Sequence, residues 1–334
     1  MSIAPGSATH RLTHMDAVLE AITLEMRADE RVIVIGQDIG VFQGAMQSTR
    51  GLFAEFGSGR ILEAPISESA MVGTAIGAAM FGMRPIVDIS FGEFLPAAMN
   101  QLINQAPNIH YMTGARARVP MVVRTRMGDG PYRGHPQDYS AWFAHVPGLK
   151  VVVPASAADA KGLMASSIRD DNPVLFIEPM SISHSGRDEV SVEPYAVPIG
   201  TGRLARAGDH VTVVAIGSMV RVALRAAETL AADGIRAEVI DLRSLRPWDS
   251  DIVLNSIAKT GCLVIAHEAW VASGFGAEVA ATVAETGFDH LMAPIGRVGA
   301  IEVPIPSGPL RAYALPNEAA IVEKARRIVR MAGR

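Results

Sequence analysis

Apolar positions along the chain alternate between two periods. Met15, Leu19, Ile22 and Met26 recur at helical spacing behind Thr13, which forms a capping-box pattern with Asp16 three residues on. A β-branched run at 31–36 follows, suited to a buried strand, with Asp38 just past its end, where open α/β sheets place ligands. The same reading predicts strands over 86–91, 121–125, 150–153 and 174–177, and helices over 69–81, 96–111 and 157–168. From 179 to 198 the periodicity lapses into Ser, Pro and charge, the composition of a linker. Strands at 211–216, 237–241, 262–266 and 295–298 then alternate with helices ending near 232, starting near 276 and starting at 317. Strands that alternate with helices predict parallel sheets covered on both faces. The expected fold class is therefore α/β with two doubly wound domains: a flexible tail over 1–10, a first domain over 11–180, a linker over 181–198 and a second domain over 199–334.

Composition narrows the function classes. With 334 residues, 49% of them hydrophobic and 19% charged, the chain can bury a large core and is not expected to be disordered. A formal net charge of −4 and a pI near 6.1 give no basic footprint for nucleic acid, and no Lys/Arg cluster suggests a membrane surface. Small molecules and proteins are the expected partners. The single cysteine, Cys262, excludes an internal disulfide framework and fits a reducing, cytoplasmic compartment. The first ten residues carry no apolar signal core, and no uncharged apolar run reaches the roughly 18–20 residues of a membrane helix.

Glu68 carries the strongest chemical signal. It sits in Ala-Pro-Ile-Ser-Glu-Ser-Ala (64–70), ahead of an uncharged small-residue run that ends at Arg84. A lone acid entering an apolar segment is costly to bury and calls for a cationic partner or a catalytic task. Other motifs are weaker. Val-Ala-Ile-Gly-Ser (214–218) and Asp241 resemble a dinucleotide turn with its ribose-binding acid, but only Gly217 of the Gly-x-Gly-x-x-Gly pattern is present. Gly-Asp-Gly (128–130) resembles the opening of the diphosphate-and-magnesium motif of thiamine diphosphate enzymes, yet Val152, Val153 and Pro154 stand where its closing asparagine belongs. Gly73-x-x-x-Gly77 permits close helix packing, either within the subunit or at an interface. The nine histidines show no metal spacing, and His110 reads as an ordinary helical residue. His135 lies in a turn-forming stretch, 128–139, just after the strand at 121–125, where catalytic and structural histidines are both found.

Over nearly its whole length the chain resembles the beta subunit of the thiamine-diphosphate-dependent first component of 2-oxo acid dehydrogenase complexes, related to the second half of transketolase. The resemblance rests on Pro-Ile-Ser-Glu (65–68), Gly-x-Ala-Ile-Gly-Ala-Ala-Met-x-Gly-Met-Arg-Pro-Ile (73–86), Gln-Leu-Ile-Asn-Gln-Ala (101–106) and Ala-Trp-Phe-Ala-His-Val-Pro-Gly-Leu-Lys-Val-Val (141–152). Asp-Ala-Lys-Gly-Leu (159–163), Ile-Arg-Asp-Asp-Asn-Pro-Val (168–174), Val-Ile-Asp-Leu-Arg-Ser-Leu-Arg-Pro (239–247), His-Glu-Ala (267–269) and Gly-Phe-Gly-Ala-Glu (274–278) extend it. It implies a pyrimidine-binding domain followed by a transketolase C-terminal-like domain. It also implies that Glu68 hydrogen-bonds a ring nitrogen of the cofactor's aminopyrimidine and so favours the imino tautomer, whose nitrogen removes the thiazolium proton before a 2-oxo acid is decarboxylated. Phe94 falls where the family stacks an aromatic on that ring, with Phe91 the nearest competitor, and Ile66 should touch it. His135 aligns with the family's active-centre histidine, a group able to move protons near working pH. Here His-Pro-Gln-Asp replaces the usual His-Ser-Gln, so the acceptor end of the site is expected to differ.

A potassium site is implied at Met121, Ser167, Ile168, Asp170 and Asn172, although an Asp-Asp-Asn turn also suits any helix-to-strand connection. No segment resembles the diphosphate-and-magnesium domain. The resemblance therefore implies an alpha subunit that holds magnesium and shares the thiamine diphosphate, an alpha2-beta2 heterotetramer, and docking on a lipoyl acyltransferase core. The activity it implies is decarboxylation of a small 2-oxo acid with acyl transfer to a lipoyl acceptor. A two-chain acyloin synthase or transketolase-like enzyme is the second reading, and a non-catalytic scaffold or nucleotide-binding subunit the third.

Overall fold

The computed structural model describes residues 8–130, 134–306 and 308–333, and within it the chain divides into two compact units. The first comprises Met1–Met127 and Trp142–Ile199; the second comprises Gly128–Ala141 and Gly200–Arg334.

In the first unit the strands Lys150–Val152, Val174–Pro179, Val122–Met127, Arg84–Ile89, Val32–Gly36 and Ile61–Glu63 lie side by side in that order, all parallel. Val32–Gly36 is buried at every position, the signature of a strand covered on both faces. The helix His14–Ala28 begins with the Thr13 hydroxyl accepting from the Asp16 N–H at 3.1 Å, and its Met15, Leu19, Ile22 and Met26 face inward as the period predicted. The helix Ala157–Arg169 is capped in the same way by Ser156, and Leu163, Met164 and Ile168 join Val18, Ile22 and Met26 in one core.

Three expectations required correction. The segment expected as one helix over 96–111 is a 3₁₀ stretch, Gly92–Ala98, then a π-helical stretch, Asn100–Gln105, then a short helix, Ile109–Met112. Pro96 and Pro107 lack the N–H that a continuous α-helix needs, and the ladder shifts register around them. The stretch expected as a structureless linker, 181–198, contains the strand Asp188–Ser191, which pairs antiparallel with Thr9–Leu12. That pairing also places His10 in a strand, whereas the sequence put it in the tail; residues 1–7 lie outside the described residues. Period-based reading cannot see a two-stranded ribbon whose partner is far away in the chain. The strand Ile61–Glu63 is too short to carry a period and was not anticipated.

In the second unit the strands run Gly296–Ala300, Leu263–Trp270, Val211–Ala215, Ala237–Asp241 and Arg203–Arg206, parallel except for the antiparallel edge strand Arg203–Arg206. The helices Met219–Ala232, Ser250–Thr260, Phe275–Thr286 and Glu318–Met331 alternate with them. Both units are thus doubly wound α/β folds. Among the described residues, no helix is long and apolar enough to cross a membrane.

Candidate functional site

In the first unit the carboxyl ends of neighbouring parallel strands bring several loops to one edge of the sheet. Gly36 is opposite both Glu63 and Asp88, so the segments that follow Val32–Gly36, Ile61–Glu63 and Arg84–Ile89 emerge together. The first of these, after Gly36, holds Asp38, Gln43, Met46 and Gln47 at positive φ, a concentration of left-handed non-glycine residues that ordinary connections avoid. Its Gly40 N–H donates to the Glu63 carboxylate at 2.9 Å, and the Ser48 hydroxyl donates to Asp88 at 3.1 Å.

The segment after Ile61–Glu63 contains Pro65 and delivers Glu68 as the first residue of the helix Glu68–Met80. Glu68 is only 9% exposed, yet its carboxylate makes no hydrogen bond or ion pair with any described residue. Its place in the first helical turn, beside the unsatisfied N–H groups and positive end of the dipole, favours an anion but leaves the carboxylate oxygens without partners. A buried acid in this state calls for an explanation, and a catalytic role is one of those it can have.

The segment after Arg84–Ile89 carries Phe91 and Phe94. Their rings meet edge to face at 6.1 Å, with Phe91 buried and Phe94 half-buried. The Ser69 hydroxyl donates to the Ala97 carbonyl at 2.5 Å, tying the start of the Glu68 helix to the turn that holds Phe94. A Cβ on Gly73 would lie 3.9 Å from Gln101 Cγ, so this glycine faces the subunit's own neighbouring segment, whereas Gly77 faces open space. Ile66 is 76% exposed on the approach to Glu68.

Beneath this edge lies a network that sequence reasoning missed. Arg124 and Arg126 are fully buried on one face of Val122–Met127. Arg124 grips Glu178 through two nitrogens and donates to the Ser48 carbonyl at 2.8 Å, while Arg126 binds both oxygens of Asp88 at 3.1 and 3.0 Å and the Ser90 carbonyl at 2.8 Å. Burial pushes the Glu178 carboxyl up, but the charges of Arg124 and Arg126 outweigh it and hold the group below the ordinary carboxylate range. Two positive and two negative charges are thereby neutralised out of water. The signal was present in the Arg-Thr-Arg alternation at 124–126, which sets two cations on one face of a central strand.

The residues expected to hold potassium gather between the end of Ala157–Arg169 and the start of Val174–Pro179. The Met121 carbonyl accepts from Val174 N–H at 2.9 Å, and the Ser167 hydroxyl donates to the Leu163 carbonyl at 2.7 Å. The Ile168 and Asp170 carbonyls accept from Arg84 at 3.0 and 2.9 Å, and the Asp170 carboxylate binds Lys150 and accepts from the Asn172 N–H at 2.9 Å. Two cationic side chains already serve these oxygens, so a metal ion would have to share them. Among the described residues, no cluster of His, Cys, Asp or Glu has the arrangement of a metal site.

His135 belongs to the second unit, with the rest of Gly128–Ala141. It is half-buried and is followed by the buried Pro136; residues 131–133 of its loop lie outside the described residues. Gln137 and Tyr139 of the same segment line a cleft of about 460 Å³ with Trp270, Glu302, Val303 and Pro304. At the end of Leu263–Trp270, His267 is buried against Gly276, where a Cβ would stand 2.6 Å from its ring nitrogen, and burial pushes its imidazole down toward the neutral form. Beside it, the Glu268 carboxyl lies inside the unit, although the residue as a whole keeps some surface. It accepts from the Ser218 hydroxyl and the Asp129 N–H, and burial pushes it up to about 7.

Residues 10–183 match the family described as "Transketolase, pyrimidine binding domain", and residues 200–321 match "Transketolase, C-terminal domain". The chain is 42% identical over 332 residues to "Pyruvate dehydrogenase E1 component subunit beta, mitochondrial" of Caenorhabditis elegans, covering 97% of this chain and 94% of that protein. It is 40% identical over 322 residues to "Pyruvate dehydrogenase E1 component subunit beta" of Rickettsia bellii, at 95% and 98% coverage, and 40% identical over 325 residues to the protein of that name in Rhizobium meliloti, at 96% and 71%. The solved "Split gene transketolase, inactive beta4 tetramer" shares the fold, with a TM-score of 0.79 at 24% identity over 97% of this chain and 100% of that one. With two transketolase-type domains in sequence and relatives of this similarity along almost its entire length, the chain belongs to the family of pyruvate dehydrogenase E1 component beta subunits.

Proposed function

We propose that this chain is the beta subunit of a two-chain, thiamine-diphosphate-dependent 2-oxo acid dehydrogenase component, and that Glu68 is its cofactor-activating acid. The observation that carries the reading is Glu68, a residue nine-tenths buried whose carboxylate has no partner among the described residues. An aminopyrimidine offers the ring nitrogen and shared proton that this carboxyl lacks, and a carboxyl removed from water favours sharing a proton over standing as a bare anion. Phe94, fastened next to the Glu68 helix through Ser69 and Ala97, supplies the stacking face, and Ile66 supplies apolar contact on the approach.

The cofactor, when bound, supplies the electron sink for decarboxylation. The chain's own residues hold the aminopyrimidine, keep water from Glu68, and exchange a proton at its carboxyl oxygen. His135 would move the proton on the acceptor side. The diphosphate and its magnesium fall to an alpha subunit in an alpha2-beta2 assembly, and the acyl group passes to a lipoyl acceptor. A potassium ion at the Met121, Ser167, Ile168, Asp170 and Asn172 oxygens is a structural addition, shared with Arg84 and Lys150, and no chemical step depends on it.

The reading is tested with Glu68→Gln in the enzyme assembled with its alpha subunit. Exchange of the thiazolium carbon-bound hydrogen should be abolished while the assembled mass stays the same. Exchange at the wild-type rate would remove Glu68 from the mechanism. A panel of 2-oxo acids assayed with an artificial electron acceptor, and then with added aldehydes, separates lipoyl-type transfer from acyloin synthesis.

A further inference from the structure

The segment Gly128–Ala141 is fastened within the second unit by several contacts. Gly128 closes the base of the loop by donating its N–H to the Gln137 carbonyl at 3.2 Å. Its φ is +82°, and a Cβ there would lie 2.6 Å from Glu268 Oε1 and 3.0 Å from Cδ, so no other residue lets the backbone press this closely on the carboxyl. The next N–H, that of Asp129, donates to Glu268 Oε1, while Ser218 donates to Oε2. On the other side, Arg311 binds the Asp129 carboxylate at 3.0 Å and the Gly130 carbonyl at 3.1 Å. Beyond His135, the Gln137 amide both donates to the Ile305 carbonyl at 3.3 Å and accepts from the Ile305 N–H at 3.2 Å, and the Tyr139 ring tilts against Trp270 at 6.0 Å.

Among these anchors Glu268 is distinct. Arg311 and the Gln137–Ile305 pair use groups whose charge is constant at working pH. Glu268 instead meets a backbone N–H with an ionisable carboxyl, and the charged groups facing it are Asp129 and Asp138, with Arg311 behind Asp129. An ionised acceptor makes the shorter and stronger hydrogen bond. A protonated carboxyl keeps Oε1 as an acceptor, but a weaker one, and its Oε2 hydrogen can be donated to Ser218. The strength of the grip on Asp129 therefore follows the charge of one side chain.

We propose that Glu268 is a positioning residue: its carboxyl pins the first turn of the His135 loop through the Asp129 N–H and thereby sets how firmly that loop is held. The proposal rests on the reading of His135 as the acceptor-side proton carrier for its functional weight, but the tether itself can be measured without it. Glu268→Gln retains a carbonyl acceptor without charge, and Glu268→Ala retains none.

The test is hydrogen–deuterium exchange of peptides spanning 128–141 in the enzyme assembled with its alpha subunit, corrected for intrinsic exchange, from pH 6 to 8.5. Loss of the hydrogen bond in Glu268→Ala should raise exchange at the Asp129 amide about tenfold, the equivalent of one ordinary hydrogen bond. In the wild type, protection at that amide should rise with pH through about 7, where the carboxyl ionises. Glu268→Gln should remain protected at every pH with that rise removed, which simple loss of packing would not produce. Wild-type exchange in Glu268→Ala, or a pH-dependent rise surviving in Glu268→Gln, overturns the tether. His135→Ala with undiminished turnover would instead overturn the reading of His135 and leave the exchange result standing.

Discussion

Replacing Glu178 by Gln offers the sharpest test of the buried charge network. The substitution keeps the volume of the side chain but removes its charge, leaving Arg124, Arg126 and Asp88 with an excess positive charge fully out of water. Contact ion pairs of this kind are worth on the order of 5 kcal/mol at an effective dielectric near 20. Removing one member of a buried pair costs about 3–5 kcal/mol in practice. For a unit of roughly 150–250 residues each kcal/mol lowers the melting temperature by about 2–4 °C, so the expected shift is roughly 10 °C at pH 7.5. Scanning calorimetry of the assembled enzyme reads it directly. The sign with pH is also determined. Because the Glu178 carboxyl is held below its ordinary 4.5, its contribution is complete above that pH and is lost as pH falls through the folded value, so wild type and variant should converge under acid. Adding Arg124→Met and replacing Glu178 by Leu removes both charges and leaves Asp88 with its two-point contact to Arg126 at 3.1 and 3.0 Å. That double variant loses the donor to the Ser48 carbonyl, about 1–3 kcal/mol, and should melt above the single variant. A single variant within 2 °C of wild type, or a double variant less stable than the single, would show that the four groups do not act as a neutralised set.

Two further outcomes are expected. Calorimetric titration should find negligible thiamine diphosphate binding by this chain alone and restored binding once an alpha subunit is present; tight binding by the isolated chain would sink the two-subunit reading. If potassium occupies the oxygens around Asp170, exchanging potassium for choline at constant ionic strength should lower the melting temperature, by the equivalent of about 2.7 kcal/mol for an ion at a hundred times its dissociation constant, and Asp170→Ala should abolish the difference. Equal melting in the two salts would leave the turn to the side-chain cations Arg84, Arg118 and Lys150.

The alternation of periods was enough to place most strands and long helices, because each buries an apolar face over a local stretch of chain. Val32–Gly36 and His14–Ala28 needed no information from elsewhere. Features set by distant pairing were hidden. Arg124 could be read as part of a strand, but not that its partner Glu178 stands 54 residues on or that Asp88 stands 36 back. The ribbon formed by Thr9–Leu12 and Asp188–Ser191 was read as a tail and a linker for the same reason. At the candidate site the identity of Glu68 was legible from its apolar surroundings. Its lack of a partner among the described residues was not, since only the fold shows which arginines and lysines stay away from it. Two prolines signal the break of the 96–111 segment and prevail over its apolar period.

The ribbon also carries a consequence for the timing of synthesis. Arg11 and Arg187 hydrogen-bond across 176 residues, so the first described strand leaves the ribosome long before the strand that completes it. At about 5–20 residues per second, Thr9–Leu12 waits roughly 10–35 s with an unsatisfied edge. The segment Gly128–Ala141 faces a similar delay, because the sheet it belongs with is built only from residues after Gly200. The first unit therefore cannot close in the order in which it is made, and the newborn chain has an interval in which an edge strand and the segment that carries His135 are both without their partners.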